Sequence, residues 1–199
     1  NLIPNYGIAI LFLTFIVKLM LFPLTRKSQT SMFKMQDLQP KIEELKKKYK
    51  NDKPRMAKAQ MELFKSHGAN PLGGCLPMVL QLPIFLALFH TLQLSFEMRQ
   101  APFAFWISDL SMPDTLITLP FTLPVMGNML NILPFIMTGA SFVQMKLNPK
   151  TPTADPQARM QQKMMSFMPF IFCFILYKLP SGLTLYWTTS TIFSIGENL

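Results

Sequence analysis

The sequence predicts an all-α polytopic membrane protein: five transmembrane helices plus a cytoplasmic antiparallel helical hairpin. Three observations carry the prediction. Half of the residues are hydrophobic and only 15% are charged, against roughly 25% charged in ordinary soluble domains. The 18 Phe and 16 Met fall in runs, and crossing the ~30 Å hydrocarbon core takes a helix of ~20 mostly apolar residues. The basic residues behind the net charge of +9 gather in two connections, as cytoplasmic loops require. One membrane domain with one polar excursion accounts for the whole chain.

Residues 1–25 hold the first span. Its apolar stretch, Tyr6 to Leu24, contains one full charge, Lys18, with Thr14 one helical turn before it on the same face. A charge at membrane depth costs roughly 2.5–3.5 kcal/mol on insertion scales. Two roles are open to Lys18. It faces a wet cavity as a functional group, or it snorkels, because Pro23 lies only about 7–8 Å further along the helix. The span alone does not choose. No cleavage pattern of small residues follows it, and a chain starting at Asn1 without Met is expected to continue upstream.

Residues 26–70 are polar and basic. Leu38, Ile42, Leu45 and Tyr49 form one helical stripe, with Asp37 as N-cap and Pro40 early in the helix. Asn51-Asp52-Lys53-Pro54 is a turn signal. A second helix, Arg55 to His67, carries Met56, Ala59 and Leu63 on one side and ends at Gly68. The two stripes pair as an antiparallel hairpin. About a dozen Lys and Arg between Arg26 and Lys65 place it in the cytoplasm.

The second span occupies residues 71–96. Pro77 and Pro83 predict a kink, Gly73-Gly74 allows a bend at the entry, and Gln81 and His90 are polar insertions. Residues 97–128 carry few charges and the interfacial aromatic Trp106, so they form an outer segment along the membrane surface. Leu116 to Met126 is apolar but broken by Pro120 and Pro124, and too short to cross. The third span covers 129–146, a basic cytoplasmic loop 147–163, the fourth span 164–178 and the fifth 182–199. Lys178 and Pro180-Ser181-Gly182 make the outer turn. The fifth span is rich in hydroxyls, which suit helix contacts or the wall of a wet cavity. Alternating loops put the N-terminus outside and the C-terminus in the cytoplasm.

The sequence contains no HExxH, no GxSxG and no phosphate-binding glycine loop. Paired catalytic groups are missing, so an intramembrane enzyme is not expected, and neither is any cofactor or metal. Cys75 and Cys173 are isolated and read as packing residues. His90 reads as a bundle-facing hydrogen-bonder and His67 as a solvated helix end. The spans hold almost no acidic residues, against a proton-coupled carrier.

The stretches TFIVKLMLFPLT, TSMFKMQDLQPKIEELKKKY, NPLGGCLPMVLQLPIFLALFHTLQ, RQAPFAFWISDLS and MMSFMPFIFCFILYKLPSGLTLYW closely resemble the conserved core of the YidC membrane-protein insertase family, with its mitochondrial oxidase-assembly and chloroplast Albino relatives. They cover nearly the whole chain in the family's order. The likeness is strongest to the insertases of double-membrane bacteria, where an extra N-terminal span and a large periplasmic domain precede this core. The resemblance implies five spans around a hydrophilic groove, open to cytoplasm and lipid but closed to the outside. It puts the family's groove charge at Lys18, where most members carry Arg; Lys keeps the charge but loses the five-donor fork. It implies groove walls at Thr14, Gln144 and Trp187. The segment from Asp114 to Asn131 is longer than the family pattern, and the resemblance assigns it no role.

What the resemblance implies for function is an insertase and folding chaperone of the bacterial cytoplasmic (inner) membrane. Its partners would be nascent membrane proteins, the ribosome and membrane lipids, with the Sec translocon left open as a further one. The basic hairpin would recruit the ribosome or the incoming chain, or lie against anionic lipid. The alternative, from another class, is a small-solute channel or carrier. It requires a pore open to both sides, whereas the polar residues here are weighted to the inner half.

Overall fold

In the computed structural model of this protein, residues 5–49, 52–70, 76–123, 127–147 and 156–198 are described. The helices are α1 (Tyr6–Asp37), α2 (Gln39–Lys48), α3 (Lys53–Ser66), α4 (Leu76–Leu94), α5 (Leu133–Leu147), α6 (Pro156–Leu176) and α7 (Ser181–Asn198). Between α4 and α5 lie a short 3-10 turn, Phe96–Met98, and two strands, β1 (Thr115–Leu123) and β2 (Gly127–Asn131). The fold is helical, as the sequence predicts, with a small hairpin of strands added. Among the described residues, α1 is the one helix long and apolar enough to cross a membrane; Val79–Leu94 and Ser166–Leu176 are shorter apolar helices. Leu72, Gly73-Gly74 and Cys75, read from sequence as the entry to the second span, lie outside the described residues.

The chain divides into two compact units. The first comprises Asn1–Met20, Leu82–Asn148 and Met165–Leu199. Its core gathers Ile10 of α1, Leu88 and Leu92 of α4, Leu133 and Met137 of α5, Leu176 of α6, and Leu183 and Tyr186 of α7. Burying such side chains is worth roughly 1.5–3 kcal/mol each when water is the alternative. Cys173 is buried as a small apolar residue. His90 departs from expectation. It is exposed, and its ring meets the edge of neighbouring Phe89. In α4 the buried stripe runs through Leu88 and Leu92, and position 90 falls on the opposite side of the helix.

The connection after α4 folds over the start of α7. Leu110 donates its N–H to the Ala101 carbonyl at 3.1 Å, and its own carbonyl receives the Gly182 N–H at 3.0 Å. Ser181 donates its N–H to the Met112 carbonyl at 2.7 Å and its hydroxyl to the Asp109 carbonyl at 2.8 Å. Helix N-termini leave their first N–H groups without intrahelical partners, and here the connection accepts two of them. Gly182 makes the close approach possible. A Cβ there would sit 2.9 Å from Leu92 Cδ2, 3.2 Å from Ile10 Cδ1 and 3.2 Å from the Leu110 carbonyl oxygen.

β1 and β2 pair antiparallel, Thr115 opposite Asn131 and Leu123 opposite Gly127. The sequence reading took Pro120 and Pro124 as breakers and began the third span at Met129. Pro120 instead falls where the register shifts between Thr118 and Leu123, a place where a residue without N–H is tolerated. β2 then occupies Gly127–Asn131, and the helix starts at Leu133. Asp114 anchors the hairpin. Its Oδ2 accepts from Trp106 Nε1 at 3.0 Å, from the Ile132 N–H at 3.0 Å and from the Leu133 N–H at 2.6 Å. A carboxylate at the head of α5 also suits the helix dipole. On the other side, Asn131 donates its N–H to the Tyr177 hydroxyl and its side-chain amide to the Tyr177 carbonyl, while that hydroxyl donates to the Met129 carbonyl.

The second unit comprises Leu21–Gln81 and Pro149–Met164. Its small core is Leu38, Ile42, Phe64 and Ala69, flanked by Met35 and Leu63. The α2–α3 hairpin forms as the stripes require, but Asp37 is not a cap. It is the last residue of α1, and Leu38, still in helical conformation, precedes α2 without a side-chain cap. The Leu38 N–H continues the helical pattern to the Lys34 carbonyl, so the chain runs from α1 into α2 without the non-helical residue that a cap requires. Asp52 does cap α3, accepting from the Arg55 N–H at 3.1 Å. Gly68 ends the hairpin at φ +60°, the left-handed conformation glycine adopts without strain. Ser31 and Asn70 then exchange two hydrogen bonds, tying the end of the hairpin back to α1.

Four substitutions test these contacts through stability. Gly182→Val overfills its site and should cost roughly 1–3 kcal/mol, read as a lowered thermal midpoint in detergent. Gly139→Ala, where an added Cβ meets nothing within 4 Å, should leave the midpoint unchanged or raise it. Asp114→Ala leaves three donors without their acceptor, at roughly 1–3 kcal/mol for each left unsatisfied, and should red-shift Trp fluorescence as Trp106 loosens. Asp114→Asn retains an acceptor oxygen and should lose less.

Candidate functional site

Lys18 lies on α1, half-buried, and donates from Nζ to the hydroxyl of Ser194 on α7. Glu197, one turn further along α7, interacts electrostatically with it. The same two helices touch through Phe15 and Phe193, ring centroids 5.7 Å apart. The charge is therefore held between two helices, with a neutral acceptor and an acidic group beside it.

Thr14 sits one turn before Lys18 and is only 1% exposed. Its hydroxyl donates to the Ile10 carbonyl at 2.7 Å. Thr138, Ser141, Thr188 and Thr191 bond the same way to carbonyls four residues back, on α5 and α7. This habit settles a hydroxyl's proton within its own helix. What remains on these mostly buried faces is hydroxyl oxygen, an acceptor.

Trp187 lies two turns before Ser194 on the same stripe of α7. Its ring packs against Phe172 of α6 at 5.0 Å and Phe85 of α4 at 5.6 Å. Gln144 is half-buried on α5, two turns after the buried Met137 and on the same stripe. α5 and α7 pack together. So the structure brings α1 and α7 together at Lys18, and puts Gln144 on a helix packed against α7. Among the described residues no hydrogen bond joins Thr14, Lys18, Gln144 and Trp187 to one another.

Sequence reasoning missed Ser194 and Glu197. The signal for Ser194 was present: Trp187, Thr191 and Ser194 share one stripe of the hydroxyl-rich helix. Glu197 had no comparable signal, because a carboxylate in the last turn of an apolar helix reads as a solvated end.

The site has a direction. The N-terminal parts of α1, α5 and α7 supply the apolar core, through Ile10, Leu133, Met137, Leu183 and Tyr186, and the connection over them adds Ala101, Ile107 and Leu110. Further along the same helices come Lys18, two turns after Ile10 on α1, and Gln144, Ser194 and Glu197 in the last turns of α5 and α7. Among the described residues no cluster of His, Cys, Asp or Glu has the makings of a metal site.

Comparison with known proteins agrees with this architecture. A solved structure described as an active YidC insertase with its first transmembrane domain resolved superposes with a TM-score of 0.66 at 33% identity, covering 98% of this chain and 41% of that one. The membrane protein insertase YidC of Pelobacter propionicus is 47% identical over 197 residues, 99% of this chain and 35% of the relative. That of Magnetococcus marinus is 48% identical over 197 residues, 99% of this chain and 32% of the relative. The chain thus spans about a third of the length of these relatives. The family model described as 60Kd inner membrane protein matches residues 1–199, and the chain belongs to that family.

Proposed function

We propose that this chain is the membrane core of an insertase and folding chaperone of the bacterial inner membrane, which takes nascent transmembrane segments from the cytoplasm into the bilayer through a one-sided hydrophilic groove. The observation that carries this reading is the division of polar and apolar residues along α1, α5 and α7. With the five spans running through α1, α4, α5, α6 and α7, and the basic connections in the cytoplasm, the polar ends of these three helices face inward. The apolar ends, covered by the connection after α4, face outward and close the path.

Inserting a helix requires carrying its polar flank through hydrocarbon, where an unpaired polar group costs several kcal/mol. Acceptor oxygens and a cation at the inner end hold water at membrane depth and shorten that dry path. An ammonium has three donors. Ser194 takes one, and the others serve water or an acidic or amide group of the entering chain. The apolar part of the segment meets exposed apolar faces: Leu82 and Leu86 on α4, and Phe167, Phe170 and Phe174 on α6. Side chains of this kind, with Met, adapt to many partners. Nothing in this scheme makes or breaks a covalent bond, so the activity is that of a chaperone and not an enzyme. The α2–α3 hairpin, with Lys47 and Lys48 exposed, offers a cationic surface to the ribosome or nascent chain, and to anionic lipid at roughly 1 kcal/mol per basic residue.

Lys18→Arg should retain insertion, whereas Lys18→Ala should slow substrates with acidic flanks by about tenfold, the equivalent of ~1.4 kcal/mol. In a background without other cysteines, Ser194→Cys should react with a polar thiol reagent from the cytoplasmic side and stay unlabelled from outside. Comparable labelling from both sides would instead mark a channel.

Charge reversal at Lys46, Lys47 and Lys48 should weaken cosedimentation with ribosomes carrying a nascent membrane protein. The loss should shrink as salt rises, because exposed charges are screened over ~8 Å at physiological ionic strength. A loss independent of salt would point to hairpin unfolding.

A further inference from the structure

The β1–β2 hairpin plays no part in the groove, and its chemistry is foreign to water. From Thr115 to Met145 the sequence holds no charged residue. Leu116, Ile117, Phe121 and Met129 are all exposed, Ile117 at 54% and Phe121 at 58%. Successive strand residues point to opposite faces, and where the ladder is regular Ile117 pairs with Leu130 while Thr118 pairs with Met129, so Ile117 and Met129 make the hairpin apolar on both. A protein docked on a two-stranded sheet covers one face and leaves the other in water. A lipid layer wets both.

The surroundings agree. β2 ends at Asn131 and α5 begins at Leu133, so the hairpin runs straight into a proposed span. Phe135 and Ile136, in the first turn of that helix, are also exposed and extend the apolar surface. The clamp through Asp114, Asn131 and Tyr177 holds the hairpin at the head of α5. The depth is bounded too. An open two-stranded sheet has two edges whose N–H and C=O groups need partners, and the hydrocarbon interior supplies none. Thr118 and Thr122, exposed on β1, likewise call for water or headgroups.

We infer that the hairpin is an interfacial anchor, lying among the glycerol and upper acyl groups of the outer leaflet beside α5. The inference rests on the proposed spanning arrangement. Its partner is lipid of any headgroup charge, because the hairpin brings no charge of its own.

The test uses the full-length protein in phosphatidylcholine nanodiscs, with other cysteines replaced. Nitroxide labels go at Ile117→Cys and Phe121→Cys, with Phe12→Cys on α1 as the lipid reference and Lys58→Cys on α3 as the water reference. Both hairpin labels should collide with oxygen over a water-soluble nickel chelate severalfold more than Lys58→Cys does, and less than Phe12→Cys does. Adding anionic lipid should not change the ratio. Chelate access equal to that at Lys58→Cys overturns the inference while Phe12→Cys still reports lipid. So does an immobilised label inaccessible to both reagents, which would mean a protein partner or a second copy covers the hairpin. If Phe12→Cys itself reports water, the spanning arrangement fails and takes the inference with it.

Discussion

The structure depends on one constraint: a polar group away from bulk water must find its partner inside the protein. Hydroxyls meet it locally, each giving its proton to a carbonyl one turn back, as Thr14 does to Ile10 and Thr188 to Thr184. The head of α7 meets it through the connection after α4, which supplies the Leu110 and Met112 carbonyls. The head of α5 meets it through Asp114, whose single oxygen serves three donors. No buried side-chain nitrogen or oxygen among the described residues lacks a partner. Lys18 is the group that one hydrogen bond cannot satisfy, and this is why the proposed function rests on it.

Position turns that constraint into a mechanism. A cation among apolar helices is costly, and the cost is smallest where water can reach it. The bundle accordingly puts Lys18, Ser194 and Glu197 at one end and Leu110, Leu133 and Tyr186 at the other. In the proposed insertase this arrangement makes the groove one-sided without a gate. Water enters from the end that can hold it and stops where the side chains cannot.

The sequence made the helices legible because membrane helices are read by length and apolarity, and those signals are local. Lys18 and Thr14 were legible for the same reason: a charge and a hydroxyl one turn apart in an apolar run stand out. The hairpin was legible from the stripe through Leu38 and Ile42, although Phe64, beyond the Met56–Ala59–Leu63 stripe, turned out to fill its core. What was not legible depends on distant partners. Ser194 becomes part of the site only because α7 packs on α1, and Asp114 looked like one more loop acid. β1 was hidden by Pro120. Two-residue alternation in TLITLPFTL was weak evidence beside a proline, and only the partner strand shows that the ladder steps around it.

The two ends of the bundle are also held by different contacts, and this bears on how the proposed insertase turns over. The end nearest the connection is tied by directional bonds: Ser181 to Asp109, Gly182 to Leu110, Asn131 to Tyr177. The packing at Gly182 leaves no room for even a methyl group without displacement. At the other end, Gly196 of α7 is exposed, with nothing within 4 Å of where a Cβ would sit. A substrate helix must enter and leave sideways, so helices around it have to part at one end without losing register at the other. Tight bonds at the closed end hold that register. In the proposed insertase the polar end, joined through Lys18–Ser194 and Phe15–Phe193, is where α1 and α7 part for the cargo. In the proposed insertase the same asymmetry that keeps water on one side therefore places the compliance there as well.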